Sequence, residues 1–459
     1  MSTQKKGEQQ LHRVLEERHI NLMALGAAIG VGLFLGSATA INMAGPAVIL
    51  AYGLGGAVIF FMMRALGEMA IHNPVAGSFS RYATDYLGPL PGYITGWNYW
   101  LLWLITCMTE IVAVGVYMGY WYPDVQPWVW GMAALAIMAS VNFIAVRAFG
   151  EFEFWFALIK ITAIVLMIIM SLGIILFGIG NDGVALGFSN LWSHGGFMPN
   201  GWEGVLRSLQ IVMFAYVGVE MIGLTAGEAK NPEKSLARAV DSVFWRILIF
   251  YIISLTMIMA IYPWDQITSD KSPFVMIFER MGIPAAAGVI NFVVLTAALS
   301  SCNSGIFSTG RMLFSLAQQK QALPMFDGLN RKGIPGVAIL ASVLILGASV
   351  LASYQAAEDT FLLLTSASTF CAVWTWLTIL ISQLSFRRQL NPQELKILKY
   401  KVPLFPIGSY LAILFLLTVV VMIAFSPQWI SLVLGFVWVA FLIVMYYIMG
   451  YHKRDRHVN

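Results

Sequence analysis

The stretch Gly26-Ala27-Ala28-Ile29-Gly30-Val31-Gly32-Leu33-Phe34 lies in the middle of the first long apolar segment, where a membrane-spanning helix should be most regular. Three glycines within seven residues each lower helix propensity by about 1 kcal/mol relative to alanine. The backbone is free to leave helical geometry here, which no lipid-facing segment tolerates. A break exposes a helix N-terminus at mid-membrane, whose unpaired N–H groups and positive dipole end suit an anion such as a carboxylate. A second reading stands beside it: Gly26/Gly30 and Gly32/Gly36 are small-xxx-small pairs, the signature of close helix packing. A nucleotide-binding loop fits poorly, because no strand precedes the glycines and no acidic residue follows at the required distance.

Composition sets the class. Of 459 residues, 59% are hydrophobic and 11% charged, and the mean hydropathy is +0.76. A water-soluble domain with so little polar surface could not cover itself, so the chain reads as a polytopic membrane protein. Cys107, Cys302 and Cys371 fall in apolar segments without metal-ligand spacing, and neither a disulfide framework nor a zinc site is expected. Residues 1–19 are polar and charged, and no cleavable signal peptide is expected there.

Twelve apolar segments are long enough to span about 30 Å of hydrocarbon. They run over 20–43, 46–66, 92–121, 126–146, 153–179, 205–226, 243–262, 284–316, 337–353, 360–384, 404–425 and 429–450. The third and eighth exceed the need of a perpendicular helix and should tilt or overrun the membrane edge. With the N-terminus inside, the outer loops hold only Arg207, Lys271 and Arg280 of the 27 basic residues, so both termini are expected in the cytoplasm. The net charge of +4 then reports topology, and nucleic acid is not an expected partner.

Segments 1 and 6 cross in opposite directions, and both are interrupted near their middles. The second interruption is Phe214-Ala215-Tyr216-Val217-Gly218-Val219-Glu220. Segments 1 to 5 and 6 to 10 therefore read as inverted repeats, and paired broken helices at matching positions point to a transporter's binding site. The expected organisation is a tail at 1–19, one transmembrane domain at 20–450 and a tail at 451–459. Within the domain, 20–179 is the first repeat, 205–384 the second, and 404–450 two extra helices.

Further motifs accompany the breaks: Ala44-Gly45-Pro46, Gly67-Glu68-Met69, Phe79-Ser80-Arg81-Tyr82-Ala83, Gly150-Glu151-Phe152-Glu153-Phe154-Trp155-Phe156 with Ile159-Lys160, Thr225-Ala226-Gly227-Glu228-Ala229-Lys230-Asn231-Pro232, and Arg311-Met312-Leu313. Together with the first break they resemble the amino acid transporter family of the amino acid/polyamine/organocation superfamily, over about residues 10 to 450. Permeases for proline are most similar, with those for threonine/serine, histidine and aromatic amino acids close. The resemblance implies an all-α, twelve-helix, LeuT-like fold of 5+5 inverted repeats plus two helices, in the bacterial inner membrane. It implies proton symport of an amino acid by alternating access, with an amino acid or amine exchanger on the same fold as the alternative.

An amino acid brings one carboxylate and one ammonium, and a mid-membrane site must replace the water around both. The N–H groups from Ala28 through Ile29 and Gly30 to Gly32 would take the carboxylate, and carbonyls freed near Ala24, Phe214 and Ala215 the ammonium. Such backbone contacts fit any amino acid alike, so side chains on segments 1, 3, 6, 8 and 10 must discriminate. Gly218 lies in the second break, and Tyr216 there reads either as a gate or as filler with its hydroxyl satisfied. Glu110 is about 16 Å from one end of segment 3 and 27 Å from the other, too deep to reach water. It should face a cavity or a partner, as proton carrier or structural hydrogen-bonding group.

By resemblance Lys160 occupies the place of a lysine that projects toward segments 1 and 8, where sodium-driven members of the fold hold a cation; there it would couple protons to transport. The plain alternative is a lysine that snorkels to the cytoplasmic surface. Ser300 and Ser301 are its expected polar neighbours. Glu220 either caps the second break or exchanges protons. Tyr99, Trp97, Trp100 and Trp103 are expected mostly as packing. The charges Glu68, Arg81, Glu151, Glu153, Glu228 and Arg311 fall in inner loops, as a gating network or as ordinary helix-end charges. All six histidines fall in tails or loops, so a histidine relay is not expected.

A channel would need polar rings along a pore, whereas these polar features gather at the midplane. An enzyme would need a cluster of nucleophile, base or metal ligands, and the sequence offers none. The expected partners are an amino acid, protons and the lipid bilayer, with no cofactor and no obligate protein partner.

Overall fold

A computed structural model describes residues 16–454, apart from 27–28, 76, 145, 226–227, 229, 269–271, 281–283 and 354–359. Ala28, Lys271, His12 and His457 lie outside the described residues. The described chain is helical, with no strand. That is what a membrane demands of a segment that cannot hydrogen-bond to water.

The first expected segment divides into α1 (Glu17–Gly26), α2 (Val31–Phe34) and α3 (Gly36–Ala44). It is followed by α4 (Val48–His72), a short α5 (Ser78–Leu87), α6 (Pro89–Gly119), α7 (Pro127–Ile144), α8 (Val146–Phe177) and the one-turn α9 (Asn190–Ser193). The sixth segment divides into α10 (Gly201–Phe214) and α11 (Met221–Thr225), and the amphipathic α12 (Pro232–Asp241) leads to α13 (Val243–Arg246) and α14 (Ser254–Ile261), joined by a π-helical stretch, Ile247–Ile253. The remainder comprises α15 (Pro273–Arg280), α16 (Pro284–Gln318), α17 (Gly336–Ser353), α18 (Thr360–Gln389), α19 (Pro392–Ile397), α20 (Ile407–Ala424), α21 (Trp429–Ile448) and the one-turn α22 (Tyr451–Arg454).

Among the described residues, nine helical stretches are long and apolar enough to cross a membrane. Of the twelve expected segments, the first and sixth are interrupted and the ninth holds a shorter apolar helix, Gly336–Leu351. At 31 and 35 residues, α6 and α16 are about 47 and 53 Å long, more than the thickness of a hydrocarbon core, about 30 Å.

These two long helices pack on each other through the centre of the bundle, and α18 packs along α6. Around them, α1 lies on α8, and α3 lies on α10. The interrupted helices reach the long pair through α2, on α6 and α16, and through α11, on α16. The outer faces of α20 and α21 carry exposed Leu411, Leu414, Phe436, Phe441 and Val444, a lipid-facing rind.

Candidate functional site

The first interruption is a true break in the hydrogen-bond ladder. α1 ends at Gly26, whose carbonyl accepts from Ile29 N at 3.0 Å; Gly30 is extended (φ −119°, ψ −160°), and helical geometry resumes at Val31. Leu33 N and Phe34 N both donate to the Gly30 carbonyl, at 3.1 and 3.3 Å. The N–H of Val31 donates to Glu110 Oε1 at 3.4 Å.

The second interruption covers residues 215–220, all in turns. Gly218 has φ +104°, a region closed to side chains, so a glycine is required at that bend. Glu220 closes the bend: its two carboxylate oxygens each accept from Gly218 N at 3.3 Å, and Trp376 Nε1 donates to Oε2 at 3.1 Å. The Ala215 carbonyl accepts from Tyr251 Oη at 2.8 Å. Tyr216 Oη donates to the Tyr52 carbonyl at 2.8 Å, within a cluster of Tyr52, Tyr216 and Tyr251.

The two breaks meet backbone to backbone. A Cβ on Gly32 would fall 2.7 Å from Ala215 Cα and 3.0 Å from Phe214 Cδ1. Gly26 packs as tightly on Ala157, where a Cβ would lie 2.6 Å from the alanine methyl. The glycines of the opening stretch therefore serve close packing and interruption together. Beside the crossing is a buried cavity of about 10 Å³, room for about one water. It is lined by Gly30 and Gly32 of the first break, Phe214, Ala215 and Val217 of the second, and Thr106, Glu110 and Ser301. Tyr216 and Gly218 are not among the lining residues. Glu110 Oε2 is buried without a hydrogen-bond partner, which leaves an acceptor lone pair free at the cavity.

Lys160, on α8, is wholly buried and does not run out to a surface. Its Nζ donates to the Gly26 carbonyl at 2.7 Å, the Ile29 carbonyl at 3.0 Å and Ser300 Oγ at 3.1 Å. The Gly26 carbonyl already accepts from Ile29 N, and the ammonium adds a donor to it and one to the Ile29 carbonyl within the break, with its third donor on Ser300. Ser301 is turned the other way, toward Gly30 and Glu110.

The six charges expected as inner-loop residues separate into distinct roles. Arg81 pairs with Asp85 within α5, an ordinary i,i+4 contact. Glu68 is buried and bound by Arg387 through both oxygens at 2.6 Å, with Val402 N also donating at 2.6 Å. Arg311 and Glu228 form a buried pair at 2.9 Å, with the guanidinium lying 3.6 Å over the Phe307 ring, itself stacked on Phe149. Glu151 takes Arg18 at 2.5 Å and His19 Nε2 at 3.1 Å, tying α1 to α8. Glu16, which accepts from Arg18 Nε at 3.1 Å, is held below the usual carboxylate range by that hydrogen bond.

Five of the six are helix residues and not loop charges: Glu68 is on α4, Arg81 on α5, Glu151 and Glu153 on α8, and Arg311 on α16. Glu153 lies seven residues into α8, which begins at Val146. It is wholly buried, accepting from Ser300 Oγ and Asn303 Nδ2, both at 2.7 Å. His19 likewise departs from its expected loop, since α1 begins at Glu17 and carries it as a buried helix residue. α1 opens on the polar turn Glu17-Arg18-His19, and α8 on Val146-Arg147-Ala148-Phe149 followed by Gly150 and Glu151, so both helices start before the apolar segments read from hydropathy.

Interrupted helices crossing beside a buried polar cavity, among the described residues of an all-helical bundle, define a multi-pass membrane protein of the transporter type. A family model described as amino acid permease matches residues 19–458, and the chain belongs to the amino acid permease family. It is 61% identical over 451 residues to an uncharacterized amino acid permease, YtnA, of Bacillus subtilis (strain 168), covering 98% of this chain and 97% of that one. It is 48% identical over 448 residues to the probable threonine/serine transporter YbxG of the same organism, covering 97% of each. The amino-acid permease AapA, also from that organism, is 43% identical over 440 residues, 96% of this chain and 95% of the relative.

Proposed function

We propose that the protein imports an amino acid together with a proton, by alternating access around the two helix breaks. The observation that carries this reading is the meeting of the breaks at Gly32 and Ala215, with the Lys160 ammonium seated on the Gly26 and Ile29 carbonyls at the first break. On this reading residues 20–179 and 205–384 are inverted repeats, 404–450 are two extra helices, and both termini are cytoplasmic. The substrate carboxylate binds the N–H groups at Gly30 to Gly32, next to Val31 N. Glu110, whose oxygen now approaches that N–H, moves aside or takes up a proton when the second anion arrives. Lys160 holds a cation's place without a metal ion. Glu220 serves as the cap of the second break, since both its oxygens are engaged there.

The substrate is a small neutral amino acid, threonine or serine foremost. Two observations support this: the small polar residues Thr106 and Ser301 line the cavity, and a relative of 48% identity is named as a probable threonine/serine transporter. At about 10 Å³ the cavity must widen before any amino acid fits, consistent with a closed member of an alternating cycle. Purified protein in proteoliposomes, given a panel of radiolabelled amino acids with and without an inside-alkaline gradient, tests the proposal. Accumulation driven by the gradient, with threonine or serine the best substrate, supports it. Uptake that needs internal amino acid and ignores the gradient makes the protein an exchanger instead.

A further inference from the structure

We infer that Glu153 receives the proton that Lys160 releases, with the Ser300 hydroxyl as the relay between them. The inference rests on the proton-coupled reading above and extends it to a residue outside the helix breaks.

The geometry is that of a short directed wire. Glu153 and Lys160 lie two turns apart on α8, on one face of the helix, about 10.5 Å apart along its axis. Side chains lean toward a helix's N-terminus, so the lysine reaches back toward the glutamate. They meet at one atom: Lys160 Nζ donates to Ser300 Oγ at 3.1 Å, and Ser300 Oγ donates to Glu153 Oε2 at 2.7 Å. A hydroxyl has one hydrogen and two lone pairs, so it can accept from the first and donate to the second at once. The other Glu153 oxygen accepts from Asn303 Nδ2, whose own carbonyl oxygen accepts from Asn142 Nδ2, each at 2.7 Å.

Transfer needs no co-reactant. An N–H bond of the ammonium breaks as an O–H bond forms at Ser300 Oγ; the original Ser300 O–H breaks as one forms at Glu153 Oε2. A charged pair, ammonium and carboxylate, becomes a neutral pair, amine and carboxylic acid. In a dry interior that removes two buried charges at once. It also withdraws the cation from the Gly26 and Ile29 carbonyls and so loosens α1 from α8. Glu110, on the far side of the break, is the other carboxylate facing Lys160 and lies next to the cavity instead. Glu153 is closer to the α8 N-terminus, the cytoplasmic end in the proposed orientation, and is covered by α1 and α16 in this conformation.

The test is substrate-driven acidification of proteoliposomes loaded with a pH-sensitive dye, using a mixture of the twenty L-amino acids as the probe, with counterflow of labelled amino acid measured in parallel. Glu153→Gln keeps the shape and an acceptor for Asn303 but cannot take a proton. Ser300→Ala cuts the relay, and Ser300→Thr restores a hydroxyl. The expected result is that Glu153→Gln and Ser300→Ala slow proton entry by about a hundredfold while counterflow persists, and that Ser300→Thr recovers it. Proton entry at the parental rate in Glu153→Gln or Ser300→Ala overturns the relay, and the symport reading survives if Lys160→Ala still abolishes acidification. If Glu153→Gln loses counterflow as well, Ser300→Ala decides: retained acidification overturns the inference, lost acidification with counterflow intact upholds it. A parent protein that transports without acidification refutes the coupling itself.

Discussion

Two alanine substitutions two residues apart should have opposite effects, because their missing Cβ atoms face different things. At Gly32 an added methyl meets backbone, 2.7 Å from Ala215 Cα, and the two broken helices must separate by about 0.7 Å to reach the 3.4 Å of ordinary contact. Overpacking of that kind costs about 1–3 kcal/mol, and the cost falls on the fold. At Gly30 the methyl meets Glu110 Oε1 at 2.8 Å, the end of a side chain that can rotate, and Ser301 Oγ at 3.4 Å. The backbone there (φ −119°, ψ −160°) suits alanine. Its fold should change by no more than about 1 kcal/mol, and the stiffer unfolded chain offsets part of that. The Gly30 methyl does, however, enter the cavity where the carboxylate is proposed to bind. Loss of one charge-assisted hydrogen bond, about 1.5–3 kcal/mol, raises the apparent KM by about 10- to 150-fold. Thermal unfolding of detergent-purified protein and concentration-dependent uptake measure the two quantities separately. Gly30→Ala with parental KM and intact protein would refute the placement of the substrate at the break. Gly32→Ala with parental Tm would refute the backbone contact.

Glu68→Ala leaves the Arg387 guanidinium half-buried without its carboxylate and strips the Val402 N–H of its acceptor; the expected loss is about 3–5 kcal/mol, seen as a lower Tm whatever the substrate. Trp376→Phe removes a donor from buried Glu220 at the second break, costing about 1–3 kcal/mol and slowing uptake, and an unchanged Tm would mean the bend does not depend on that bond. Arg311→Ala strands Glu228 and removes the cover over Phe307. On the gating reading, buried Cys302 on the same helix then reacts with a membrane-impermeant maleimide, and continued protection places the pair in structural support alone.

Helix breaks were legible in the sequence because their cause is local. Glycines at 26, 30 and 32, and a glycine followed by a buried carboxylate at 218 and 220, conflict with helix propensity within a few residues. The membrane-spanning pattern was legible for the same reason, since apolar length is a property of the segment. What the chain does at a distance was not. Glu153 read as a loop charge because Arg147, Glu151 and Glu153 interrupt the apolar pattern, whereas α8 runs through all three from Val146. Its partners, Ser300 and Asn303, lie some 150 residues away on α16. Likewise Glu68 and Glu228 stood in one list of charges, and only tertiary packing assigned the first to Arg387 and the second to Arg311. Tyr216 shows the converse: its position in the break was plain, but its hydroxyl turns to Tyr52 rather than to the cavity.

The central claim is that the ammonium of Lys160, seated between the Gly26 and Ile29 carbonyls, is the group through which a proton gradient drives amino acid uptake. Its most direct test compares the parent with Lys160→Ala in the same proteoliposomes, measuring gradient-driven accumulation and counterflow of one labelled substrate. The account expects the variant to lose accumulation and retain counterflow. Accumulation undiminished in Lys160→Ala would contradict it.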